Sequence, residues 1–165
     1  MLQVIRAETD AHFAAARTLF EEYAASLGVD LCFQNFAAEL TSLAQQYGAP
    51  GGCLLLALAQ NQPVGCVALR RLEEQICEMK RLYVKPPFRH LKIGQTLVER
   101  ILAEARTLGY ERMQLDTLPA MTSAQKLYQA LGFQEIAPYR FNPVAGTIFM
   151  ELQLQEGAPV EERNL

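Results

Sequence analysis

The stretch QICEMKRLYV, residues 75–84, carries Glu78, Lys80 and Arg81 inside an otherwise apolar run. Its composition predicts a β-strand, and charges in a buried strand are costly unless they are paired or open onto a cleft. Strict alternation puts Glu78, Lys80, Leu82 and Val84 on one face and Met79, Arg81 and Tyr83 on the other. Two readings follow. One is a solvated face on which Glu78 pairs with Lys80 and with Arg70 or Arg71. The other is a cleft in which a carboxylate moves a proton beside cations that hold an anion. Pro86 and Pro87 end the strand, and FRHLKIGQTLVERI (88–101) then runs from a basic loop into a helix. The N-terminus of a helix gathers unpaired N–H groups and the positive end of the dipole, which suits an anion. Such loops usually use glycine, but here only Gly94 is present, with His90 and Lys92 beside it.

These segments need a scaffold. Residues 2–7 alternate like a strand, and Thr9 or Asp10 can cap a helix that runs to Leu27 and stops at Gly28. A second helix is predicted over roughly 35–47, before the breaker cluster GAPGG. Residues 53–60 and 63–72 read as strands around a hairpin turn at Asn61–Gln62, with 75–84 as a third. The helix after the basic loop carries Ile93, Leu97, Val98, Ile101, Leu102, Ala105 and Leu108 at a helical period and closes at Gly109. A strand over 111–118 follows. Thr122 with Gln125 fits a capping box for a short helix ending at Gly132, and two final strands complete the order. Three short-linked central strands imply antiparallel pairing in a mixed α/β sheet, which differs from the strict alternation of a dinucleotide fold.

The chain has 165 residues, half of them apolar, a fifth charged, and a net charge of −3. That predicts one domain over 1–155 with a loose polar tail at 156–165. The acidic balance argues against nucleic-acid binding. Cys32, Cys53, Cys66 and Cys77 form no C-x-x-C pair and only two histidines exist, so no metal site is expected. The start lacks a signal-peptide pattern and no run reaches membrane-spanning length, so the expectation is a reduced cytoplasmic protein with no membrane partner. A monomer or homodimer fits equally.

The run from Glu78 to Phe133 resembles the GNAT superfamily of acyl-CoA-dependent N-acetyltransferases. The loop motif R/Q-x-x-G-x-G/A is met at Arg89-His90-Leu91-Lys92-Ile93-Gly94, and A-x-x-L-Y-x-x-L-G-F at Ala124–Phe133. The resemblance covers about residues 75–134 and is topological elsewhere. It implies a largely antiparallel central sheet of about seven strands flanked by about four helices. The backbone at Leu82, Tyr83 and Val84 would pair with the pantetheine arm of acetyl-CoA. Amides from His90 through Leu91, Lys92, Ile93 and Gly94 to Gln95, with Arg89, would hold its pyrophosphate. Tyr128 stands where many members protonate the departing thiolate, and Glu78 where some keep a general base. Lys92 replaces the first loop glycine, and Met121 sits where many members have asparagine.

Elementary chemistry gives these residue types a reason. An alkyl amine with a pKa of about 10.4 is neutral only about once in 10³–10⁴ molecules at pH 7, so something must take its proton. Glu78 is the expected acceptor, and Tyr128 the expected acid. Cys77 has no histidine partner that would make it a nucleophile. His12 reads as a helix-surface residue, and His90 as a phosphate contact or an exposed loop histidine. Lys80, Arg70 and Arg71 could hold a carboxylate on the acceptor or neutralise Glu78 and Asp116. Tyr139, Arg140 and Phe141 lie where acceptor pockets of this family are walled. Because the cradle's ligands are amides, Lys92 is expected at negative φ with its ammonium turned back to phosphate. The expected reaction is direct acetylation of a small, amino-acid-like amine. A peptide or protein amine, or a non-catalytic acyl-CoA-binding module, are the alternatives.

Overall fold

Thr9 opens the first helix. Its hydroxyl accepts from the His12 amide at 3.1 Å, while His12 Nδ1 accepts from the Glu8 and Thr9 amides at 3.1 and 3.4 Å. His12 is thus part of a reciprocal cap, a role beyond that of a helix-surface residue. The computed structural model describes residues 1–28, 31 and 35–155; Cys32 and the expected tail at 156–165 lie outside them. After β1 (Leu2–Arg6), α1 (Asp10–Leu27) ends at Gly28, whose φ of 67° is free of penalty only in glycine. The second helix is broken into α2 (Phe36–Leu40) and α3 (Leu43–Tyr47). The Thr41 and Ser42 hydroxyls each bond to the Ala38 carbonyl at 2.8 Å, and this local competition interrupts the helical ladder.

β2 (Cys53–Ala59) and β3 (Gln62–Glu73) form the hairpin, with the turn at Gln60–Asn61, one residue earlier than expected. Both turn residues have positive φ, 51° and 65°, as a tight hairpin turn demands. β4 (Ile76–Val84) follows, then a 3₁₀ turn (Pro86–Leu91) and α4 (Ile93–Thr107). β5 (Arg112–Thr117), α5 (Thr122–Ala130), β6 (Gln134–Ile136) and β7 (Ile148–Gln153) complete the chain. The expected capping box at α5 does not form. Met121 occupies the cap position, and Gln125 Nε2 instead donates to the Leu118 carbonyl at 2.8 Å.

The seven strands run in the order β1-β2-β3-β4-β5-β7-β6, every pair antiparallel except β4 with β5. One face packs on α4, where Leu97, Val98 and Ile101 meet Leu55, Leu69 and Met113. The other packs on α1 and α3, where Leu19, Phe20 and Tyr47 meet Leu54, Leu56 and Ala68. Cys53, Cys66 and Cys77 are free thiols buried in these two layers. Among the described residues no helix is long and apolar enough to cross a membrane, and no His, Cys, Asp and Glu group is placed to hold a metal.

Two irregularities shape the centre of the sheet. β4 and β5 pair only at Ile76↔Arg112, Cys77↔Met113 and Glu78↔Gln114, after which they diverge. On its other side β4 pairs with β3, but the register slips between Cys66↔Tyr83 and Ala68↔Lys80, where Arg81 has φ of 62°. This bulge inserts an extra residue and breaks the alternation. Met79 faces the α4 layer, and so do Leu82 and Val84. Glu78, Lys80 and Arg81 lie on the α1 side, with Tyr83. The expected grouping of Lys80 with Leu82 and Val84, and of Arg81 with Met79, is therefore overturned by one residue.

Candidate active site

The divergence of β4 and β5 opens a cleft of about 600 Å³, walled by residues 79–84, 115–118 and the start of α5. The edge of β4 facing β5 has no strand partner from Met79 to Val84, which leaves room for an extended guest to pair alongside it. Leu82, Tyr83, Val84, Arg89, Lys92, Gly94 and Gln95, all expected at a cofactor, line this cleft. Ile93 instead packs into the α4 core, while Leu91 and His90 are exposed on the 3₁₀ turn. For Ile93 only the backbone remains available to a ligand.

At the open end, Arg89 Nε donates to the Val84 carbonyl at 2.9 Å, and its guanidinium lies 5.8 Å from the Tyr83 ring centroid. Lys92 adopts φ 60° and ψ 26°, so the expectation of negative φ is wrong. The reason is geometric: Lys92 ends the 3₁₀ turn and caps α4 at once, and a reversal that tight uses the left-handed region. No side chain caps α4, and the amides of its first turn stay available to an anion, with the dipole behind them.

The closed end is built from side chains. Glu78 is fully buried and accepts from Arg70 Nε at 2.9 Å, Tyr139 OH at 2.7 Å, and Arg140 Nη2. Arg140 Nε lies 3.5 Å from Asp116 Oδ2, which Asn142 Nδ2 also approaches at 3.3 Å. Glu78 does not line the cleft; Asp116 and Asn142 do. Three donors on a carboxylate with no exposure leave it poorly placed as a proton acceptor, contrary to expectation. Glu78 instead ties β3 to the segment before β7. Arg70 and Tyr139, expected at the acceptor, are also behind the cleft wall, and Arg70 lines a separate cavity with Gly48–Gly52.

Arg81 is clamped by Glu39 of α2, with Nε–Oε2 at 2.9 Å and Nη2–Oε1 at 2.8 Å. The rings of Tyr23 and Phe36 cover it, at 5.9 and 5.2 Å. Burial opposes the charge on Glu39, but the Arg81 bonds outweigh it and hold its carboxyl below the usual range. Lys80 lines the cleft and is 7% exposed. Burial, then the charge of Arg81, lowers its ammonium to about 7 against the pull of Glu78 and Glu39. Tyr128 lines the opposite wall beside Phe133, and burial pushes its hydroxyl up. Cys77 faces the α4 core, and burial raises its thiol to about 12, which makes it inert as a nucleophile. Tyr23, Asn142 and the Glu39 clamp were not singled out as site residues from the sequence. Their segments carry no motif, and only the folded chain brings them to β4.

The chain matches the model of the Acetyltransferase (GNAT) family over residues 11–133. It is 39% identical over 142 residues to an uncharacterized N-acetyltransferase of Schizosaccharomyces pombe, covering 85% of this chain and 87% of that one. It is 30% identical over 110 residues to the N-acetylaspartate synthetase of Xenopus tropicalis, covering 66% of this chain and 41% of that protein. A GNAT-family acetyltransferase from Staphylococcus aureus superposes with a TM-score of 0.78 at 22% identity, over 94% of this chain and 100% of that one. A Salmonella typhimurium protein solved with its cofactor acetyl-CoA superposes with a TM-score of 0.70 at 20% identity, over 96% of each chain. The class defined by this forked sheet and family match is an acetyl-CoA-dependent acyltransferase. The chain belongs to the GNAT family of N-acetyltransferases.

Proposed function

We propose that this chain, acting as one domain over 1–155, moves the acetyl group of acetyl-CoA directly onto the amine of a small molecule that also carries a carboxylate. The observation that carries this reading is the fork itself. It offers an unpaired main-chain edge at one end and, at the other, the polar side chains of Lys80, Asp116 and Asn142, with the Arg140 guanidinium held behind Asp116. The N-acetylaspartate synthetase relatives, whose name implies an aspartate acceptor, are consistent with an acceptor of that chemistry.

Acetyl-CoA supplies the activated thioester. The residues present fit it: the β4 edge at Leu82–Val84 suits an amide-bearing arm, and the uncapped start of α4 with Arg89 and Lys92 suits a pyrophosphate. Tyr128 is the group assigned to return a proton to the departing sulfur. Its buried hydroxyl keeps that proton at neutral pH. Glu78 holds Arg140 and Tyr139 behind the acceptor end, and through Arg140 it is linked to Asp116, which lines the cleft. With Cys77 turned into the core, no covalent enzyme intermediate is required.

Thiol release from acetyl-CoA, measured with a panel of amino acids, polyamines and peptide amines, tests the reading. Turnover concentrated in carboxylate-bearing small amines, with intersecting double-reciprocal plots, is the expected outcome. Parallel plots or an acetyl group trapped on Cys77 would overturn direct transfer. Turnover of peptides alone would overturn the small-molecule acceptor.

A further inference from the structure

We infer that Lys80, in its uncharged form, is the group that takes the proton from the acceptor's ammonium before acetyl transfer. This rests on the reading of the protein as an N-acetyltransferase and names a catalytic residue within that site. It starts from position. Lys80 lies two residues beyond Glu78, where the last β4–β5 pair closes, so it stands at the inner end of the cleft. The bulge at Arg81 then turns two consecutive basic side chains to the same side of the sheet.

The carboxylates that would pair with a lysine here are already engaged. Glu78 accepts from Arg70, Tyr139 and Arg140, and Glu39 is held bidentately by Arg81. Asp116, on β5, faces Arg140 and Asn142. Among the described residues no carboxylate forms an ion pair with Lys80 within 4.0 Å, though Arg100, Arg112 and Lys85 on the surface all have one. A buried ammonium without a partner, next to a fixed guanidinium, is better off neutral. The charged groups that act on it are Glu78 and Arg81 on β4, Glu39 on α2 and Arg140 before β7, and Tyr23 of α1 and Asp116 of β5 line the same cleft. Burial and Arg81 dominate this set and lower Lys80 to about 7, where a base is most effective in neutral solution.

The proton balance closes without another reagent. The ammonium of the acceptor gives one proton to Lys80 Nζ, and the freed amine attacks the thioester carbon. The C–N bond forms, the C–S bond breaks, and the remaining excess proton on nitrogen ends on sulfur through the Tyr128 hydroxyl. Lys80 then releases its proton to water. The net products are the amide, the CoA thiol and one proton.

Two nearly isosteric acceptors separate this role from a structural one. β-Alanine is an ammonium at neutral pH, whereas aminooxyacetate is a free amine; both carry a carboxylate. For Lys80→Met, kcat/KM with β-alanine should fall about 10²–10⁴-fold, and with aminooxyacetate less than about tenfold. Lys80→Arg should behave like Lys80→Met, because a guanidinium does not lose its proton in proteins. Wild-type kcat with β-alanine should rise through pH 7 and level above it. Equal losses with both acceptors, or a wild-type rate for Lys80→Arg, would overturn the base. Titration of the lysine side-chain nitrogens of the 15N-labelled wild type by NMR provides a readout independent of turnover. Lys80 should titrate near neutrality, and a Lys80 ammonium still fully protonated at pH 9 would overturn the proposal. Absence of thiol release from every amine in the wild type would count against N-acetyl transfer itself. Turnover that is indifferent to Lys80 would count only against the base.

Discussion

The two ends of the cleft are made of different material. Around Lys80, Asp116 and Tyr128 the wall consists of side chains that two strands and a helix, far apart in sequence, bring together. Around Leu82–Val84 and the start of α4 it consists of main chain: an unpaired strand edge and a set of uncapped amides. The difference predicts where substitution matters. Truncating a side chain should be severe at the closed end and mild at the open end, unless the change alters backbone conformation.

The largest expected effect is at Tyr128. Tyr128→Phe removes one hydroxyl from the wall and should lower kcat about 10²–10⁴-fold, with CoA affinity unchanged by isothermal titration. A matching loss of CoA affinity would break the division between the two ends. Next comes the clamp that supports the closed end from behind. Glu39→Gln leaves Arg81 buried without its countercharge and should cost about 3–5 kcal/mol of stability in urea unfolding at pH 7. The carboxyl of Glu39 is held below its unfolded value, so its contribution is fully present above about pH 4.3. As pH falls through the folded pKa that contribution is lost, and the urea midpoints of wild type and Glu39→Gln should converge.

A smaller effect is expected at Lys92. Its left-handed backbone costs roughly 1–2 kcal/mol in a non-glycine residue, so Lys92→Gly should raise the melting temperature. Lys92→Glu should weaken CoA binding more than Lys92→Ala, by an amount that shrinks with added salt. Equal CoA affinities at low ionic strength would show that the amides act alone. The smallest effect is at Gly94. An added Cβ there would meet nothing closer than Val84 Cγ2 at 3.9 Å. Gly94→Ala should therefore leave thermal stability within about 0.5 kcal/mol, the range of ordinary surface changes. A large loss of CoA affinity in that variant would locate a phosphate against the Gly94 backbone.

The open end was also the more legible in sequence. Its helix announces itself through the spacing of Leu97, Val98, Ile101 and Leu102, and the loop motif stands in consecutive residues. The stop at Gly28 and the β2–β3 hairpin were readable for the same reason: local chemistry determines local shape. Lys92 misled because the rule that disfavours positive φ in lysine is an energy difference, and a double cap can override it. The closed end depends on contacts that no window contains. Glu78 meets Tyr139 and Arg140, 61 and 62 residues further on. The bulge at Arg81 has no glycine to mark it, so period-two reasoning ran one residue past its limit. Glu78 looked like the free carboxylate because Tyr139 and Arg140, which engage it, lie outside any local window.

The three-pair seam between β4 and β5 gives the sheet a mechanical character. It divides the strands into two antiparallel leaves, β1–β4 and β5–β7–β6, sutured at Ile76–Glu78 and by the α4 core that includes Met113 and Leu115. A guest that bonds to the free edge of β4 while resting on β5 acts as a stitch across that suture. Its binding energy then adds to the cohesion of the leaves, about 2.7 kcal/mol at a hundredfold excess over Kd. Slowed amide exchange along Met79–Val84, spreading into β5, would be the sign that the leaves open and close as one unit when the stitch is in place.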